Sequence, residues 1–286
     1  MRRVPDPRDR PDAIHLARDP ATGVETIRAR FVGHAYDLHR HDEWLVGVTD
    51  RGVQDFLCRG VRRRSTPGRV ILMEPQEAHD GQAGAAGGFA YRMLYLPQPW
   101  LRDALPGRPG LPGFRESLTD DPPLATAIRR AWASIARPAP RLVRDAALQD
   151  LAARIGMQSG VVEPVLRQGR DQRIARRARD CLHETWAEEI GADALARAAG
   201  AADRFQLARA FRAAYGSAPH AYLVQLRLVR ARALLAGGEG PAAVAAACGF
   251  ADQSHLGRWF RRAYGVTPGA YRACCTGVPD TTPPPR

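Results

Sequence analysis

The chain has 286 residues, of which 45% are hydrophobic and 25% charged. This length and composition suit one large or two ordinary soluble domains and exclude fibrous, mini-protein and wholly disordered chains. Arginine supplies all 42 basic residues against 30 acidic ones, and the net charge of +12 favours a polyanionic partner such as nucleic acid. No apolar run would cross a bilayer and no signal peptide is evident, so we expect a cytoplasmic protein without a membrane partner.

The N-terminal part of the sequence has the pattern of β-structure. Apolar residues alternate between about 26 and 97, as in Phe89, Tyr91 and Met93, and turn signals such as Pro67-Gly68 recur between the alternating runs. Many short strands at this spacing predict a sandwich or barrel, which we assign to residues 26–122. Residues 1–25 lack periodicity and are expected to form a flexible arm.

The remainder of the sequence has helical periodicity. Two helices are expected within 123–156, followed by a polar linker over 157–171 that separates two domains. Residues 172–274 read as helical throughout, and 275–286 as a disordered tail rich in proline. The predicted fold class is therefore multidomain, with an N-terminal β-barrel and a C-terminal all-α domain.

An internal repeat with an offset of 49 residues lies in the last domain. Each copy has a short Ala-rich helix, a glycine suited to a left-handed turn, an aspartate suited to cap the next helix, and a longer helix. This order predicts two helix-turn-helix units. The coinciding pairs include Gly200 with Gly249, Asp203 with Asp252, Leu207 with Leu256, Arg209 with Arg258, and Phe211 with Phe260.

The second helix of each copy has a predicted basic face. Because Leu256 and Phe260 are four residues apart and face the core, Arg258 lies on another face of the same helix. Eleven arginines against three carboxylates leave a net charge of +8 between residues 197 and 272, and arginine suits guanine edges and phosphates in the major groove. The predicted DNA-binding residues are Arg204, Gln206, Arg209, Arg212, Gln253, Ser254, His255, Arg258, Arg261 and Arg262.

The second copy carries a family resemblance. The segment Gly249-Phe-Ala-Asp-Gln-Ser-His-Leu256, followed by Arg258, Phe260, Gly265, Pro268 and Tyr271, resembles the second helix-turn-helix signature of the AraC/XylS family of transcription regulators. The resemblance extends over 172–274. It implies two helix-turn-helix units joined by a long helix at about Pro219 to Ala236. By the same resemblance, the recognition segments are Asp203 to Arg212 and Gln253 to Arg262. They would enter successive major-groove segments on one face of DNA.

The first copy departs from that family pattern at two positions. Ala202 stands where the family often has serine, and Phe205 lies among polar positions. The bases that the first copy reads therefore stay open.

The barrel segment carries a second resemblance. The run Gly33-His-Ala-Tyr-Asp-Leu-His39-Arg-His41 resembles the G-x5-H-x-H opening of the cupin barrel, and Pro75-Gln-Glu77-Ala-His79 resembles its second motif. The resemblance implies a small barrel with a pocket for an effector. His39 and His41 are two apart on a strand and point to one face, so they would share a pocket with His79. The expected effector-binding residues are His39, His41, Trp44, Glu74 and His79.

The same histidines have two other readings. Together, His39, His41 and His79 offer three nitrogen ligands of the kind found in catalytic metal sites. Metal-binding cupins usually have glutamate four or five residues after the second histidine, where this sequence has Leu45 and Val46. The sequence therefore favours no metal and no other cofactor. Structural hydrogen bonding inside the barrel is the remaining alternative.

The leading hypothesis is a non-enzymatic, sequence-specific transcription regulator that responds to a small-molecule effector in its N-terminal barrel. Two alternatives stay open: a metal-dependent cupin enzyme fused to a DNA-binding domain, and a constitutive regulator whose barrel serves only dimerisation. The expected partners are double-stranded DNA, the effector, RNA polymerase and a second copy of the chain. That copy would dock through the helices of 123–156 by resemblance, although these helices would also serve simply to cover the barrel.

Overall fold

The computed structural model describes residues 13–105, 113–160, 169–188 and 190–277. They form two compact units, a β-rich N-terminal unit and a helical C-terminal unit. This confirms the predicted fold class. None of the helices in these ranges is long and apolar enough to span a membrane.

The N-terminal unit is built from short antiparallel strands and three helices. Its helices are α1 (Gln98–Ala104), α2 (Pro122–Ala136) and α3 (Arg141–Gln158). Its strands are β1 (Ala13–Arg18), β2 (Glu25–Phe31), β3 (His34–His39), β4 (Trp44–Gly52), β5 (Gln54–Cys58), β6 (Val61–Ser65), β7 (Val70–Met73), β8 (His79–Ala83), β9 (Phe89–Leu96), β10 (Gly113–Phe114), β11 (Leu118–Thr119) and β12 (Ser159–Gly160).

Two sheets of this unit pack face to face around an apolar core. One has six strands in the order β1-β2-β9-β4-β7-β11, and the other has four in the order β3-β8-β5-β6. Alternate residues of β2 and β9 fill the core, as their period-two pattern predicts, together with Phe56 and Cys58 of β5. Over the described ranges the strands do not pair into one closed cylinder, so the predicted barrel is an open, jelly-roll-like sandwich.

Helices α2 and α3 cover the outer face of the six-stranded sheet. Trp44, Val46 and Val48 of β4 point outward and join a second apolar core with these helices. The indole Nε1 of Trp132 on α2 donates a hydrogen bond to the carbonyl of Ile27 at 3.0 Å. The helices of the predicted segment 123–156 therefore bury a sheet face that would otherwise be apolar and exposed.

Two predicted segments at the chain ends need correction. The arm predicted for 1–25 contains β1, which pairs with β2 and contributes Ile14 and Leu16 to the packing against the sandwich core. The alternation of apolar residues in β1 is short and follows a run rich in proline and charged residues, so the sequence pattern did not indicate a strand. The predicted tail starts at 275, whereas the last helix continues to Thr276. Residues 1–12, 161–168 and 278–286 of the predicted arm, linker and tail lie outside the described residues.

The C-terminal unit consists of seven helices in the part of the chain that the structure describes. The long connecting helix begins and ends where the family resemblance implies. Leu207, Phe211, Leu256 and Phe260 are all buried, as their four-residue spacing predicts. The helices are α4 (Arg170–Glu184), α5 (Ala192–Ala199), α6 (Arg204–Tyr215), α7 (Pro219–Ala236), α8 (Pro241–Ala247), α9 (Gln253–Tyr264) and α10 (Pro268–Thr276).

Candidate DNA interface and effector cavity

The two helix-turn-helix units share one local construction. Gly200 and Gly249 have φ angles of 73° and 70°, a left-handed conformation that glycine adopts without steric cost. A carboxylate oxygen of Asp203 accepts a hydrogen bond from the backbone N of Gln206 at 2.7 Å, and Asp252 accepts one from the backbone N of His255 at 2.6 Å. The predicted turn and cap are thus present in both copies, and they define where α6 and α9 begin.

Both second helices present arginine to solvent. Arg209 on α6 and Arg258 on α9 are exposed at equivalent places of the repeat, while the opposite faces are buried. The amino end of an α-helix also carries a partial positive charge, which favours anions. Eight of the ten predicted DNA-binding residues are fully or partly exposed and do not cap a helix. They are Arg204, Arg209, Arg212, Gln253, Ser254, Arg258, Arg261 and Arg262.

Gln206 and His255, the other two, occupy equivalent positions and face the starts of their own helices. The Oε1 of Gln206 accepts a hydrogen bond from the backbone N of Ala202 at 2.8 Å. The Nδ1 of His255 lies 3.4 Å from the backbone N of Ala251, and its Nε2 accepts a hydrogen bond from the indole of Trp259 at 2.9 Å. Each of these two side chains therefore stabilises the beginning of its own recognition helix.

Phe205 and the arginines of α4 add to this surface without having been predicted. Phe205 is 61% exposed in the first turn of α6, and the Arg204 guanidinium lies 5.1 Å from its ring centre. The start of α4 lies beside the start of α6, since Gln206 donates a hydrogen bond to Asp171 at 3.3 Å. The exposed arginines on α4 are Arg170, Arg173, Arg176 and Arg177. The sequence did contain a signal for these arginines, namely the positive charge of the segment. That segment lies before the repeat, from which the DNA-binding residues were predicted.

Some of the arginines counted in the predicted positive charge bind backbone carbonyls of the protein itself. Arg227 on α7 is nearly buried and donates to the carbonyls of Trp186, Gly249 and Glu188 at 2.8, 2.7 and 2.9 Å. Arg272 donates to the carbonyl of Gly238 at 2.8 Å. The net charge counted over this segment therefore overstates the charge available to DNA.

Three histidines meet inside the N-terminal sandwich. His39 at the end of β3 is the direct cross-strand partner of His79 at the start of β8, and their ring centres are 4.4 Å apart. The ring of His41 lies 4.7 Å from that of His39 and 5.2 Å from that of His79. All three are buried, and one ligand nitrogen of each lies within 4.8 Å of the other two. The structure brings together the three histidines that the cupin-like motifs contain.

Backbone carbonyls fix the protonation of two of these rings. The Nδ1 of His39 lies 2.7 Å from the carbonyl of Asp37, and the Nδ1 of His79 lies 3.0 Å from that of Glu77. Because a carbonyl only accepts, each Nδ1 carries a proton. Burial lowers the pKa of His79 to about 4, so this ring is neutral at physiological pH.

Aromatic and amide groups continue the polar lining beside the histidines. The Tyr36 ring lies 5.2 Å from His39, and its hydroxyl accepts a hydrogen bond from Gln54 at 3.1 Å. Burial raises the pKa of Tyr36 to about 12, so its hydroxyl stays protonated. Tyr95 contacts His41 edge to face at 4.9 Å. No motif marked Gln54 or Tyr95, because their role follows only from the pairing of the strands.

Trp44 and Glu74 were wrongly assigned to this cavity. Trp44 points to the outer face of its sheet and packs against Phe114, with ring centres 5.1 Å apart. Glu74 instead binds Arg59 at 2.7 Å and accepts a hydrogen bond from the backbone N of Phe114 at 2.6 Å. Both faces of this sheet are covered by protein, so alternation alone did not indicate which face meets the cavity.

Comparison with known proteins agrees with both units. Residues 22–152 match the AraC-like ligand binding domain and residues 195–273 match a helix-turn-helix domain. The uncharacterized HTH-type transcriptional regulator YbfI of Bacillus subtilis strain 168 is 23% identical over 229 residues, which cover 79% of this chain and 83% of YbfI.

Two solved structures of ToxT share the fold. ToxT from Vibrio cholerae O395 has a TM-score of 0.51 and 12% identity, covering 89% of this chain and 99% of ToxT. Wild-type ToxT with bound unsaturated fatty acid, from strain SCE256, has a TM-score of 0.54 and 12% identity, covering 93% and 97%. This chain therefore combines an AraC-like ligand binding domain with a helix-turn-helix domain, the combination that its resemblance to the AraC/XylS family of transcription regulators implies.

Proposed function

We propose that this chain binds a specific DNA sequence through α6 and α9 and changes its regulatory output when a small molecule occupies the N-terminal sandwich. The observation that carries the proposal is the duplicated construction of turn, capped helix and outward arginine at Arg209 and Arg258. Two such helices in one unit suit two contacts with the major groove. We assign no catalytic step to the chain, and a DNA partner implies action in the cytoplasm.

The residues of the interface divide by chemistry. Arg209 and Arg258 are central on their helices, and we assign them to guanine edges. Gln253 and Ser254, in the first turn of α9, suit hydrogen bonds to bases or phosphates. The remaining exposed arginines suit phosphate contacts that set register and affinity: Arg204, Arg212, Arg261 and Arg262, extended by the arginines of α4.

Phe205 suits a different contact from its neighbours. Its exposed ring stands where the second copy has Ser254, and apolar side chains recognise the 5-methyl group of thymine in the major groove. We therefore assign Phe205 to a thymine in the part of the site that α6 reads.

The effector side of the proposal rests on the polar groups within the sandwich. His39, His41, His79, Tyr36 and Gln54 offer hydrogen-bond donors and acceptors among buried apolar side chains. Such a set suits a small molecule with hydroxyl or anionic groups. The ToxT structure with bound fatty acid supports a small-molecule effector as a class within this fold.

A second copy of the chain and RNA polymerase complete the proposed partners. Leu142 and Val143 at the start of α3 are 81% and 54% exposed, which suits a contact with another copy. Light scattering of the full chain should give a dimer mass that Leu142→Arg reduces. A contact with RNA polymerase follows from the regulatory role and carries no surface assignment.

The decisive experiment is salt-dependent binding of the purified chain to genomic fragments, including DNA flanking its own gene, with competitor DNA present. We expect selective retention of one fragment, because base contacts add to the phosphate term. The matched control is the variant with both Arg209→Ala and Arg258→Ala, which should retain only uniform binding. Equal retention of all fragments by the wild-type chain would contradict the proposal.

A further inference from the structure

We propose that residues 74–78 form a strap that opens and closes over the buried histidines of the N-terminal unit, with Gln76 as its latch. The strap joins the end of β7 to the start of β8, which begins at His79. Its existence depends neither on DNA binding nor on a bound molecule. Its use as the entrance for an effector rests on the proposed function.

The latch residue has a backbone conformation that costs free energy. Gln76 has a φ angle of 65°, in the left-handed region that residues with a Cβ disfavour. Among the non-glycine residues that the structure describes, Arg59 is the other one with a positive φ, at 53°. Such conformations persist where neighbouring contacts hold them, and they concentrate at ligand clamps and switch segments. The closed conformation of Gln76 therefore depends on its contacts.

Three hydrogen bonds hold Gln76 against the connection between β3 and β4. Its backbone N donates to the carbonyl of His41 at 2.7 Å, its carbonyl accepts from the guanidinium of Arg40, and its side-chain amide donates to the carboxylate of Asp42. The backbone carbonyl of Asp42 in turn accepts a hydrogen bond from Gln98 of α1 at 2.7 Å. Rotation of the Gln76 backbone out of the left-handed region displaces all three of its bonding groups, so the strap opens as a unit.

A second set of contacts holds the strap on either side of Gln76. Arg59, in the turn between β5 and β6, donates to the carboxylate of Glu74 at 2.7 Å and to that of Glu77. Glu77 also accepts a hydrogen bond from the backbone N of Glu74 at 2.8 Å. The two non-glycine residues with positive φ thus meet at one segment. Because the contacts of Arg59 leave Gln76 itself untouched, they fix the flanks about which Gln76 moves.

The strap connects directly to the polar cluster inside the sandwich. Residues 74–78 are half-buried, whereas His41 and His79 are buried. The latch bonds to the backbone of His41, and the carbonyl of Glu77 accepts the Nδ1–H of His79 at 3.0 Å. Opening of the strap therefore exposes these two histidines to solvent. A small molecule bound beside the rings would change the balance between the closed and the open strap, which transmits occupancy to the surface of the unit.

Carbethoxylation of histidine by diethyl pyrocarbonate tests the strap on the purified full chain with no ligand added. The reagent modifies accessible, unprotonated rings, and mass spectrometry after proteolysis gives the rate at each histidine. The exposed His15 and His220 are internal references. We expect His79 to be modified in the wild-type chain at a low rate that opening of the strap determines.

Three variants at two glutamines separate the latch from its surroundings. Gln76→Ala removes the bond to Asp42 and keeps the backbone cost, so labelling of His79 should rise roughly tenfold. Gln76→Gly removes the same side chain but adopts the left-handed conformation freely, so labelling should be roughly fivefold lower than in Gln76→Ala. Gln82→Ala, exposed on β8, is the matched control and should label as the wild type does.

Hydrogen exchange of the wild-type chain provides a measure that needs no variant. If the strap opens locally, the amide of Gln76 should exchange faster than the hydrogen-bonded amides of β9, although it is itself hydrogen-bonded. Exchange of Gln76 as slow as that of β9 would overturn the strap. So would unchanged labelling of His79 in Gln76→Ala that circular dichroism shows to be folded. Equal labelling of Gln76→Gly and Gln76→Ala would overturn the role of backbone strain in the latch.

DNA binding in the same preparations distinguishes the failure of the strap from that of the proposed function. Opening of the strap without selective DNA retention would support the strap and contradict the proposed function. Selective retention by a chain whose strap does not open would overturn the strap alone.

Discussion

The guanidinium of Arg227 donates a 2.7 Å hydrogen bond to the carbonyl of Gly249, the glycine at the turn of the second helix-turn-helix. The same guanidinium donates to the carbonyls of Trp186 and Glu188, in the connection between α4 and α5. One side chain from α7 thus ties the turn of the second helix-turn-helix unit to the connection that leads into the first. The arrangement of the C-terminal unit therefore depends on this residue in addition to its apolar core.

Replacing Arg227 should destabilise the C-terminal unit. Arg227→Met keeps the length of the side chain but leaves three carbonyls without their donor, so we expect a loss of about 2 to 4 kcal/mol in the free energy of unfolding. Urea unfolding followed by circular dichroism measures it. Arg230→Met is the control, because Arg230 is exposed on the same helix. Equal effects of the two substitutions would contradict a structural role for Arg227.

Alanine substitutions at two glycines distinguish the cost of backbone strain from the cost of steric conflict. Gly249 and Gly216 have φ angles of 70° and 71°, so an alanine at either position carries a similar backbone cost of about 1 to 2 kcal/mol. A Cβ on Gly249 would lie 2.8 Å from Cζ of Arg227 and 2.9 Å from the carbonyl oxygen of Ala187, whereas nothing lies within 4 Å at Gly216. Thermal unfolding should therefore show a larger loss for Gly249→Ala. A loss no greater than that of Gly216→Ala would show that the turn yields easily.

Arg258→Ala tests the second recognition helix. If Arg258 contacts a base, specific binding should weaken by about 1 to 3 kcal/mol and preference should relax at one base pair. If it contacts phosphate, affinity should fall for all sequences and the slope of log K against log salt should flatten by about one unit. Fluorescence anisotropy at several salt concentrations distinguishes these results. Arg141→Ala, exposed on α3, is the control, and an unchanged affinity and slope for Arg258→Ala would remove α9 from the interface.

The contact assigned to Phe205 can be tested by changing the DNA alone. Replacing single thymines by deoxyuridine removes one methyl group, and burial of such a group is worth about 0.8 kcal/mol, or roughly fourfold in affinity. We expect one position to show this loss with the wild-type chain and to show none with Phe205→Ala. Ser254→Ala, at the equivalent place of the second copy, should keep the sensitivity. A loss that persists in Phe205→Ala would assign the methyl contact to another residue.

The acid stability of the N-terminal unit should depend on His79. Its pKa of about 4 lies below the ordinary value of 6.5, so between these values the unfolded chain binds a proton that the folded chain does not. The free energy of unfolding should therefore fall as pH decreases through this window, by roughly 3 kcal/mol in total. The fall should be smaller in His79→Asn when unfolding is measured from pH 7 to 4. Parallel curves for the two proteins would argue against a neutral buried His79.

Much of the helical unit could be predicted because its sequence repeats. Aspartate and glycine at equivalent places carry the turn and cap of each copy, and the four-residue spacing of Leu256 and Phe260 identifies the buried face. These are local relationships within a few residues. The role of Arg227 was not predictable in this way, because its three carbonyl partners lie 22 to 41 positions away along the chain.

The N-terminal unit was harder to predict for a different reason. Its six-stranded sheet is covered on both faces, so Trp44 and Leu45 are both buried although they point in opposite directions. A period-two pattern identifies such a strand but does not indicate which face meets the cavity. The proximity of the three histidines was predictable because the motif spacing and the register of β3 with β8 agree, and their role in binding an effector stays a prediction.

The two helix-turn-helix copies are alike in construction and unlike in the residues they expose. Phe205 in the first copy stands where the second has Ser254, and Arg204 stands where the second has Gln253. Because the two copies expose different residues, the DNA that suits them is expected to have two dissimilar halves. Such a site has a direction. A chain bound to it would face one way along the duplex, so the orientation of the site would determine which side of a promoter the N-terminal unit approaches.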